Sequence, residues 1–545
     1  MPSSPGHSSL EAASHGRGMP VQFMEETVVG AEIHPDPPRP NLGVMLLSGT
    51  SALGVVTLLE RGLGFLANLA VARVGGAQIF GAYSVAMTTA TNVASYAGAG
   101  IGTTANRFSG EFPYGKPGYR ALLRALAFVC LGSAALAVVV LWFAAGPLAT
   151  YLLRNPGLKH LLQLAALSAG AIILLECLRG LLIGQRRFAA LLALCILSGG
   201  GLLIVLPIVA TRGAAVMVVS QTVIVSSAIL ICVAAAKKLR FAPTEVEETS
   251  VGPRPATIVR FGLVQLAGMI GINAAGWWIA ALVTRADTSL LQIGLYAVAT
   301  QLRNICVMPS WLISQTAYAQ LTEQGGAAYG GAGRVAVLST VAATIISLAV
   351  AGPVAAVMPW LMPHMYGKGF AGAELTATLA IATGLVHMSS GPAAARLTVV
   401  SLPLTGIING AWAVLVIGLG SWLVPAGGAA SAAGSFLVAH LFSAVAVLIT
   451  LLWLHAVPRG LAAVSIPAVA GGIVLGGLGW LRSVSGHNVS ISAAMIGTTA
   501  ILMWLSFYLA RKSGAGELAF SRLISATLDR YGLHSRFRPR TSKNR

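Results

Sequence analysis

Apolar windows follow one another from Leu42 to Arg511, and short polar segments separate them. A bilayer core about 30 Å thick requires about 20 apolar residues per helix, so each window predicts a membrane-spanning helix. We place fourteen spans at residues 45–72, 78–101, 121–145, 158–183, 187–211, 213–236, 258–284, 291–320, 335–360, 373–396, 399–424, 429–455, 461–481 and 489–510. The sequence therefore predicts an all-α polytopic membrane protein.

Basic residues are distributed unevenly between the two sides of this predicted bundle. Of the 35 lysines and arginines, 27 fall on the side that carries both termini, seven fall on the other side, and Arg61 lies inside the first span. Positively charged segments stay in the cytoplasm during insertion, so we expect both termini to be cytoplasmic. Topology thereby explains the formal net charge of +19, and we expect no nucleic-acid partner.

An internal repeat divides the spans into two groups. A shift of 213 residues aligns LAVARVGGAQIFGAYSVA (69–86) with LVTRADTSLLQIGLYAVA (282–299) without a gap, and Leu, Gly, Tyr, Val and Ala coincide. The longest internal polar stretch, 237–257, contains three prolines and separates the first six spans from the rest. We therefore predict two six-helix lobes related as parallel repeats, plus two extra C-terminal helices.

The predicted organisation has six parts. They are a disordered cytoplasmic N-terminal tail (1–41), an N-lobe (42–236), a cytoplasmic linker (237–257), a C-lobe (258–455), spans 13 and 14 (456–510) and a basic cytoplasmic tail (511–545). No apolar core precedes a cleavage-like site in the N-terminal tail, so we expect it to be retained. The basic tail is expected to bind anionic lipids.

The sequence favours transport over catalysis. The five cysteines lie in apolar windows without CxxC or metal-ligand spacing, so we expect neither disulfides nor a metal site. No GxxxxGK[ST] loop is present, so we expect no direct use of ATP, and an ion gradient stays open as the energy source. A glycosyltransferase or ligase should carry acidic residues in a sizeable outer loop, but the outer loops are short. We expect no cofactor and no enzymatic activity.

Three stretches carry a family resemblance. They are RGLGFLANLAVARVGGAQIFGAYSVA (61–86), RFGLVQLAG (260–268) followed by IGLYAVATQLRN (293–304), and GLLIGQRRF (180–188). They resemble the oligosaccharide flippases of the multidrug/oligosaccharidyl-lipid/polysaccharide exporter superfamily over roughly residues 45 to 455. The resemblance implies two six-helix bundles with alternating access. It also implies transfer of undecaprenyl-pyrophosphate-linked repeat units across the bacterial inner membrane, alongside a polysaccharide polymerase and other biosynthesis proteins.

Charged residues inside the spans are the first candidate site residues, because insertion costs about 2.5–3.5 kcal/mol each at a helix centre. Arg61 shares a helix face with Asn68, and its planar guanidinium suits a phosphate, so we predict that both contact the cargo. An intramembrane ion pair is the alternative for Arg61. Glu60 and Glu176 are candidate coupling residues, although Glu176 lies three residues from Arg179 and a structural ion pair is an equal alternative.

Polar residues form matching stripes in spans 2 and 8. Under the 213-residue shift, Thr88 coincides with Gln301 and Thr91 coincides with Asn304. Both lobes are thus predicted to present hydrogen-bonding faces at the same depth, and hydroxyls and amides suit sugars. Ordinary interhelical hydrogen bonding, worth about 0.6 kcal/mol per contact, is the alternative.

Further arginines favour an anionic cargo. We predict that Arg107, Arg260 and Arg303 hold its headgroup from the cytoplasmic side. A multidrug exporter of the same superfamily is an alternative function, but a cationic drug would require acids in place of Arg61, Arg260, Arg303 and Arg396. A lipid II flippase is a second alternative, since it would share the arginine-lined cavity and the fourteen spans.

Overall fold

The computed structural model describes residues 42–115, 117–238, 252–323, 331–457, 460–486 and 488–512. The chain divides into two units, residues 1–49 and residues 50–545, and every contact discussed below lies within the second. The predicted N-terminal tail, most of the linker and nearly all of the basic tail fall outside the described residues, so these domain assignments stay predictions.

The described residues form helices joined by turns, and they contain no strand, which confirms the predicted all-α class. The first eight helices are α1 (Leu42–Ala97), α2 (Ile101–Glu111), α3 (Tyr119–Pro147), α4 (Lys159–Gly184), α5 (Phe188–Cys195), α6 (Gly201–Ala210), α7 (Ala214–Lys238) and α8 (Pro255–Ala286). The others are α9 (Leu291–Cys306), α10 (Met308–Glu323), α11 (Gly331–Ala356), α12 (Met358–Tyr366), α13 (Glu374–Val400), α14 (Leu402–Trp453), α15 (Gly460–Ser485) and α16 (Val489–Lys512).

These helices account for all fourteen predicted spans. Ten described stretches are long and apolar enough to cross a membrane, and α8, which bends between Leu266 and Met269, makes eleven. Two of the ten stretches, α1 and α14, each contain two predicted spans. The backbone leaves the helical region between those spans, at Gly76 in α1 and at Gly428 in α14. The predicted span 291–320 is in fact two helices, α9 and α10, each too short to cross alone.

The two repeats meet at a reciprocal pair of glycine contacts. A Cβ atom at Gly81 would lie 2.1 Å from the carbonyl oxygen of Leu290, and a Cβ atom at Gly294 would lie 2.1 Å from the carbonyl oxygen of Ala77. The 213-residue shift maps Gly81 onto Gly294 and Ala77 onto Leu290. Such an exchange of contacts is what a twofold relation between two equivalent surfaces produces. The structure thus supports the repeat that the sequence match predicted.

Polar contacts join the lobes at the same end of the bundle, which we call the predicted outer end because it carries the turns at Gly76 and Asp287. Arg73 Nη1 donates to the carbonyl oxygen of His364 at 2.5 Å. Asn155 Nδ2 donates to the carbonyl oxygen of Thr288 at 3.1 Å. Together with the glycine contacts, these bonds hold the lobes closed at this end.

Asp287 organises the turn that leads into α9. Its carboxylate accepts hydrogen bonds from the Ser289 hydroxyl at 2.6 Å and from the Gln292 backbone N–H at 2.9 Å. Burial by itself raises the pKa of Asp287, but these hydrogen bonds outweigh it and hold the pKa below its ordinary value. The turn therefore requires the ionised carboxylate.

The two C-terminal helices pack on α11 and α13 through small residues and one arginine. A Cβ atom at Gly472 would lie 2.3 Å from a methyl carbon of Val386, so α15 approaches α13 closely there. The buried Arg482 side chain donates to the carbonyl oxygens of Ala355 and Ala356 at 3.0 and 3.2 Å. Arg482 follows the predicted span 461–481, but α15 continues to Ser485, and Arg482 satisfies the carbonyl groups at the end of α11.

Candidate functional site

A cavity of about 590 Å³ lies between the lobes, and α1, α8, α9, α13 and α14 contribute its walls. It begins one turn beyond the Gly81–Gly294 contact and extends away from the predicted outer end. Its polar lining consists of Ser84, Thr88, Asn92, Asn273, Thr300, Gln301, Arg303, Asn304, Thr383, His387, Asn409, His440 and Ser443. The cavity lining also includes four aromatic residues, namely Trp277, Tyr296, Trp412 and Phe436.

The structure brings four predicted site residues together in this cavity: Thr88, Gln301, Arg303 and Asn304. The paired-stripe prediction holds for Thr88 and Gln301, which line the same cavity from opposite lobes. Thr91 does not line it, because the α1 wall follows a spacing of four residues through Thr88 and continues to Asn92. A residue three positions from Thr88 points roughly 60° away on a helix.

Two lining amides have unused hydrogen-bonding capacity. The side-chain oxygens of Asn92 and Gln301 are buried, and neither accepts a hydrogen bond from the protein. Leaving such an atom without a partner costs about 1–3 kcal/mol, so these oxygens are placed to bind water or a polar ligand. One lies on each lobe, as a ligand held between the lobes requires.

Arg303 dominates the electrostatics of the cavity. Its guanidinium donates to the side-chain oxygen of Asn304 at 3.3 Å, and it makes no ion pair with a described residue. No aspartate or glutamate belongs to the described lining. A half-buried cation without an acidic neighbour attracts anions and disfavours cations.

Sequence reasoning missed the two histidines of the cavity. His387 on α13 and His440 on α14 stack edge to face, with ring centroids 4.8 Å apart. Both lie in apolar windows, so the available signal was a polar, titratable residue inside a predicted span. Trp412 Nε1 approaches His440 Nδ1 at 3.3 Å and adds a third ring.

The structure places Arg61 outside this cavity lining. Its guanidinium lies over the Trp311 ring at 4.8 Å, so it bridges α1 to α10, which belong to different lobes. The side chain is exposed and forms no ion pair with a described residue. Asn68 on the same helix is half-buried and also lies outside the lining.

The two candidate coupling residues share one partner. Arg179 donates to Glu60 on α1 through Nη2 and to Glu176 on α4 through Nη1, the latter at 2.9 Å. The predicted pair of Glu176 with Arg179 is therefore present, and it also includes Glu60. The three side chains form one ion-paired group within the N-lobe.

Arg107 and Arg260 lie away from the cavity. Arg107 pairs with Glu111 at 2.8 Å, and its guanidinium lies 4.6 Å from the centroid of the Phe261 ring. Arg260 is exposed and lines a separate groove of about 800 Å³ between α3 and α8, whose other lining residues are apolar except Ser133. Both therefore lie where the lobes approach each other on the predicted cytoplasmic side.

The expectation that Arg396 belongs to the cavity was wrong. Its side chain is fully buried, and Nε donates to the carbonyl oxygen of Ala456, which follows the end of α14. An arginine there satisfies a backbone acceptor that no helical N–H can reach. Among the predicted arginines, Arg303 alone lines the described cavity.

Solved transporter structures share this fold. "Lipid II flippase MurJ, inward closed conformation" aligns with a TM-score of 0.62 at 12% identity, covering 84% of this chain and 98% of that chain. The inward-facing conformation of a multidrug resistance MATE family transporter of the MOP superfamily aligns with a TM-score of 0.53 at 15% identity, covering 74% and 97%. No sequence-family model and no curated protein sequence matches the chain. The chain thus shares the polytopic helical fold of these two structures.

Proposed function

We propose that this protein is a flippase that moves undecaprenyl-pyrophosphate-linked oligosaccharide repeat units across the bacterial inner membrane during polysaccharide synthesis. The observation that carries the proposal is the composition of the cavity between the lobes. It combines one free arginine, Arg303, with amides, hydroxyls and aromatic rings, and its described lining contains no acid.

Each part of such a cargo has a matching group in the cavity. Arg303 suits a phosphate, because its guanidinium can donate two parallel hydrogen bonds. The unpartnered oxygens of Asn92 and Gln301 suit sugar hydroxyls, which donate hydrogen bonds. Tryptophan and tyrosine rings suit the apolar faces of sugars.

The same features argue against a multidrug exporter. A cationic drug is repelled by Arg303 and finds no carboxylate in the described lining to balance its charge. Lipid II is chemically closer, since it is also a lipid-linked sugar with a diphosphate. A transport assay therefore has to determine which lipid-linked sugar is the cargo.

Closure at the predicted outer end supports alternating access. The cavity ends at the reciprocal contact of Gly81 with Leu290 and of Gly294 with Ala77. In the proposed cycle, cargo enters from the cytoplasm, the glycine contact separates, and the cargo leaves into the outer leaflet. Both termini are cytoplasmic in this proposal, the basic tail binds anionic lipid, and a polysaccharide polymerase takes up the product.

Proteoliposomes test the proposal directly. We expect the protein to equilibrate a fluorescent undecaprenyl-pyrophosphate-linked oligosaccharide between leaflets, measured by quenching of the outer leaflet with a membrane-impermeant reductant. Arg303→Ala should slow this at least about tenfold, which corresponds to about 1.4 kcal/mol. The matched control is Arg212→Ala, an exposed arginine in the turn between α6 and α7.

Two comparisons with other cargoes complete the test. Fluorescent lipid II in the same assay separates the two lipid-linked sugars. A cationic dye tests the exporter alternative, and transport of the dye without movement of either lipid would refute the proposed function.

A further inference from the structure

His387 and His440 sit beside the arginine of the substrate cavity and are not explained by packing alone. The edge-to-face pair lines the same cavity as Arg303. His440 is held in place, because its Nδ1–H donates to the carbonyl oxygen of Phe436 at 2.8 Å and the Trp412 ring packs edge to face against it, with ring centroids 5.2 Å apart. His387 lies one helical turn from Gly384, whose approach to α9 brings Arg303 against α13.

The one charged residue that shares the described lining with this histidine pair is positive. The other titratable or charged residues of the described lining are Arg303 and Tyr296, both on α9. The α1 and α8 walls contribute only residues that do not titrate, and α10, α11 and α15, which also pack against α13, place no residue in the lining. The described lining therefore contains no carboxylate that could balance a proton on either imidazole.

The neighbours of each histidine in the described lining oppose a proton on its ring. A histidine titrates near pH 6.5 in water, and a nearby guanidinium together with a second imidazole 4.8 Å away disfavours its charged form. An anion bound at Arg303 reverses that balance, since the protonated imidazole then gains a negative partner. Protonation and anion binding at this site are linked.

We propose that His387 and His440 form, with Arg303, a diphosphate site that takes up a proton when the cargo binds. This inference rests on the proposed function and adds the charge balance of its substrate site. A diphosphate esterified at both ends carries two negative charges, and Arg303 supplies one positive charge. The imidazole pair supplies the second by binding one proton, on either His387 or His440.

The sign of the pH dependence follows from this balance. Bound cargo favours the protonated pair, so the affinity for cargo increases as the pH falls from about 8 towards the ordinary pKa range of histidine. One proton taken up per cargo corresponds to a tenfold change in Kd for each pH unit. The proton then accompanies the cargo through the conformational change.

Titration calorimetry of the full chain in nanodiscs tests the proposal. The probe is N-acetylglucosamine linked through a diphosphate diester to a farnesyl chain, titrated at pH 7.5 in HEPES and in Tris. These buffers differ in ionisation enthalpy, so the difference in binding enthalpy counts the protons. We expect about one proton for the wild type, and close to none for the variant with His387→Gln and His440→Gln. The control His160→Gln, an exposed residue on α4, should behave as wild type.

The outcomes separate this inference from the proposed function. Probe binding without proton uptake by the wild type overturns the histidine proposal and leaves the flippase proposal standing. Equal proton uptake by the double variant and the wild type also overturns it. No binding of the probe in any buffer overturns the flippase proposal itself. The wild-type measurement is decisive alone if the double variant does not accumulate.

Discussion

Replacing Gly81 with alanine should open the predicted outer end of the protein. The added Cβ atom would lie 2.1 Å from the carbonyl oxygen of Leu290, whereas an ordinary van der Waals contact begins at 3.4 Å. Because the obstacle is backbone and not the end of a flexible side chain, α1 and α9 must separate by roughly 1.3 Å. In the proposed cycle this contact separates when the outer end opens, so the alanine penalises the closed state selectively.

The size of the effect follows from the cost of overpacking. A methyl group forced into a well-packed contact costs about 1–3 kcal/mol. A difference of that size between two states changes their ratio by about 5- to 150-fold in favour of the outer-open state. Gly294→Ala should have the same effect, because its Cβ atom meets the carbonyl oxygen of Ala77 at the same distance. The double variant should add little, since the first separation relieves the second contact.

Distances between spin labels measure this change. Labels at the exposed positions Arg154 and Lys368 report on the two lobes at the predicted outer end, in a variant whose five cysteines have been replaced. We expect Gly81→Ala to increase the long-distance population. Gly64→Ala is the matched control on the same helix, because its Cβ atom would meet nothing within 4 Å. An unchanged distance distribution for a folded Gly81→Ala protein would refute the idea that this contact closes the outer end.

Three further changes test the site and the C-terminal helices. Arg61→Ala should leave protein abundance unchanged but reduce outer-leaflet delivery of labelled lipid-linked sugar in cells. Normal delivery would exclude Arg61 as a cargo ligand. Glu60→Gln should cause only a mild transport defect, because Arg179 keeps Glu176 as a partner. Gln301→Leu should weaken probe binding in calorimetry without lowering thermal stability, since its oxygen has no protein partner to lose, and unchanged affinity would remove it from the site. Arg482→Met should lower the melting temperature of purified protein by exposing unpaired carbonyl groups, at a cost of about 1–3 kcal/mol each, and an unchanged melting temperature would contradict its role in joining α15 to α11.

The distribution of apolar residues was sufficient to predict the fold. Each of the fourteen predicted windows is helical in the structure, and ten described stretches, or eleven with the bent α8, are long and apolar enough to cross a bilayer. The repeat could also be predicted from the sequence, because the shift that aligns the two halves pairs Gly81 with Gly294. Each of these glycines contacts the backbone of the other lobe. The break at Gly428 lies in the predicted gap between spans 399–424 and 429–455. The break at Val307, inside the predicted span 291–320, was not predicted, because hydropathy reflects composition and not backbone conformation.

The site was only partly predictable. Helical periodicity placed Thr88, Gln301 and Asn304 on polar faces, and the structure confirms that those faces line one cavity. It could not distinguish Arg303, which lines that cavity, from Arg396, which serves a carbonyl group. An arginine looks the same in the sequence whether its side chain faces a ligand or the end of a helix.

The sequence by itself determined that this chain crosses a membrane repeatedly, in two related halves, with an excess of positive charge on one side. Tertiary structure alone decided which polar residues meet. His387 and His440 are 53 positions apart, and only the packing of α13 against α14 brings their rings within 4.8 Å of each other and beside Arg303. The physical reason is that each residue's hydropathy and charge determine its own preference for lipid or water, and the sequence shows that preference directly. A binding site depends instead on the distances between helices. Those distances are fixed by glycine contacts and helix breaks whose partners lie far away in the chain.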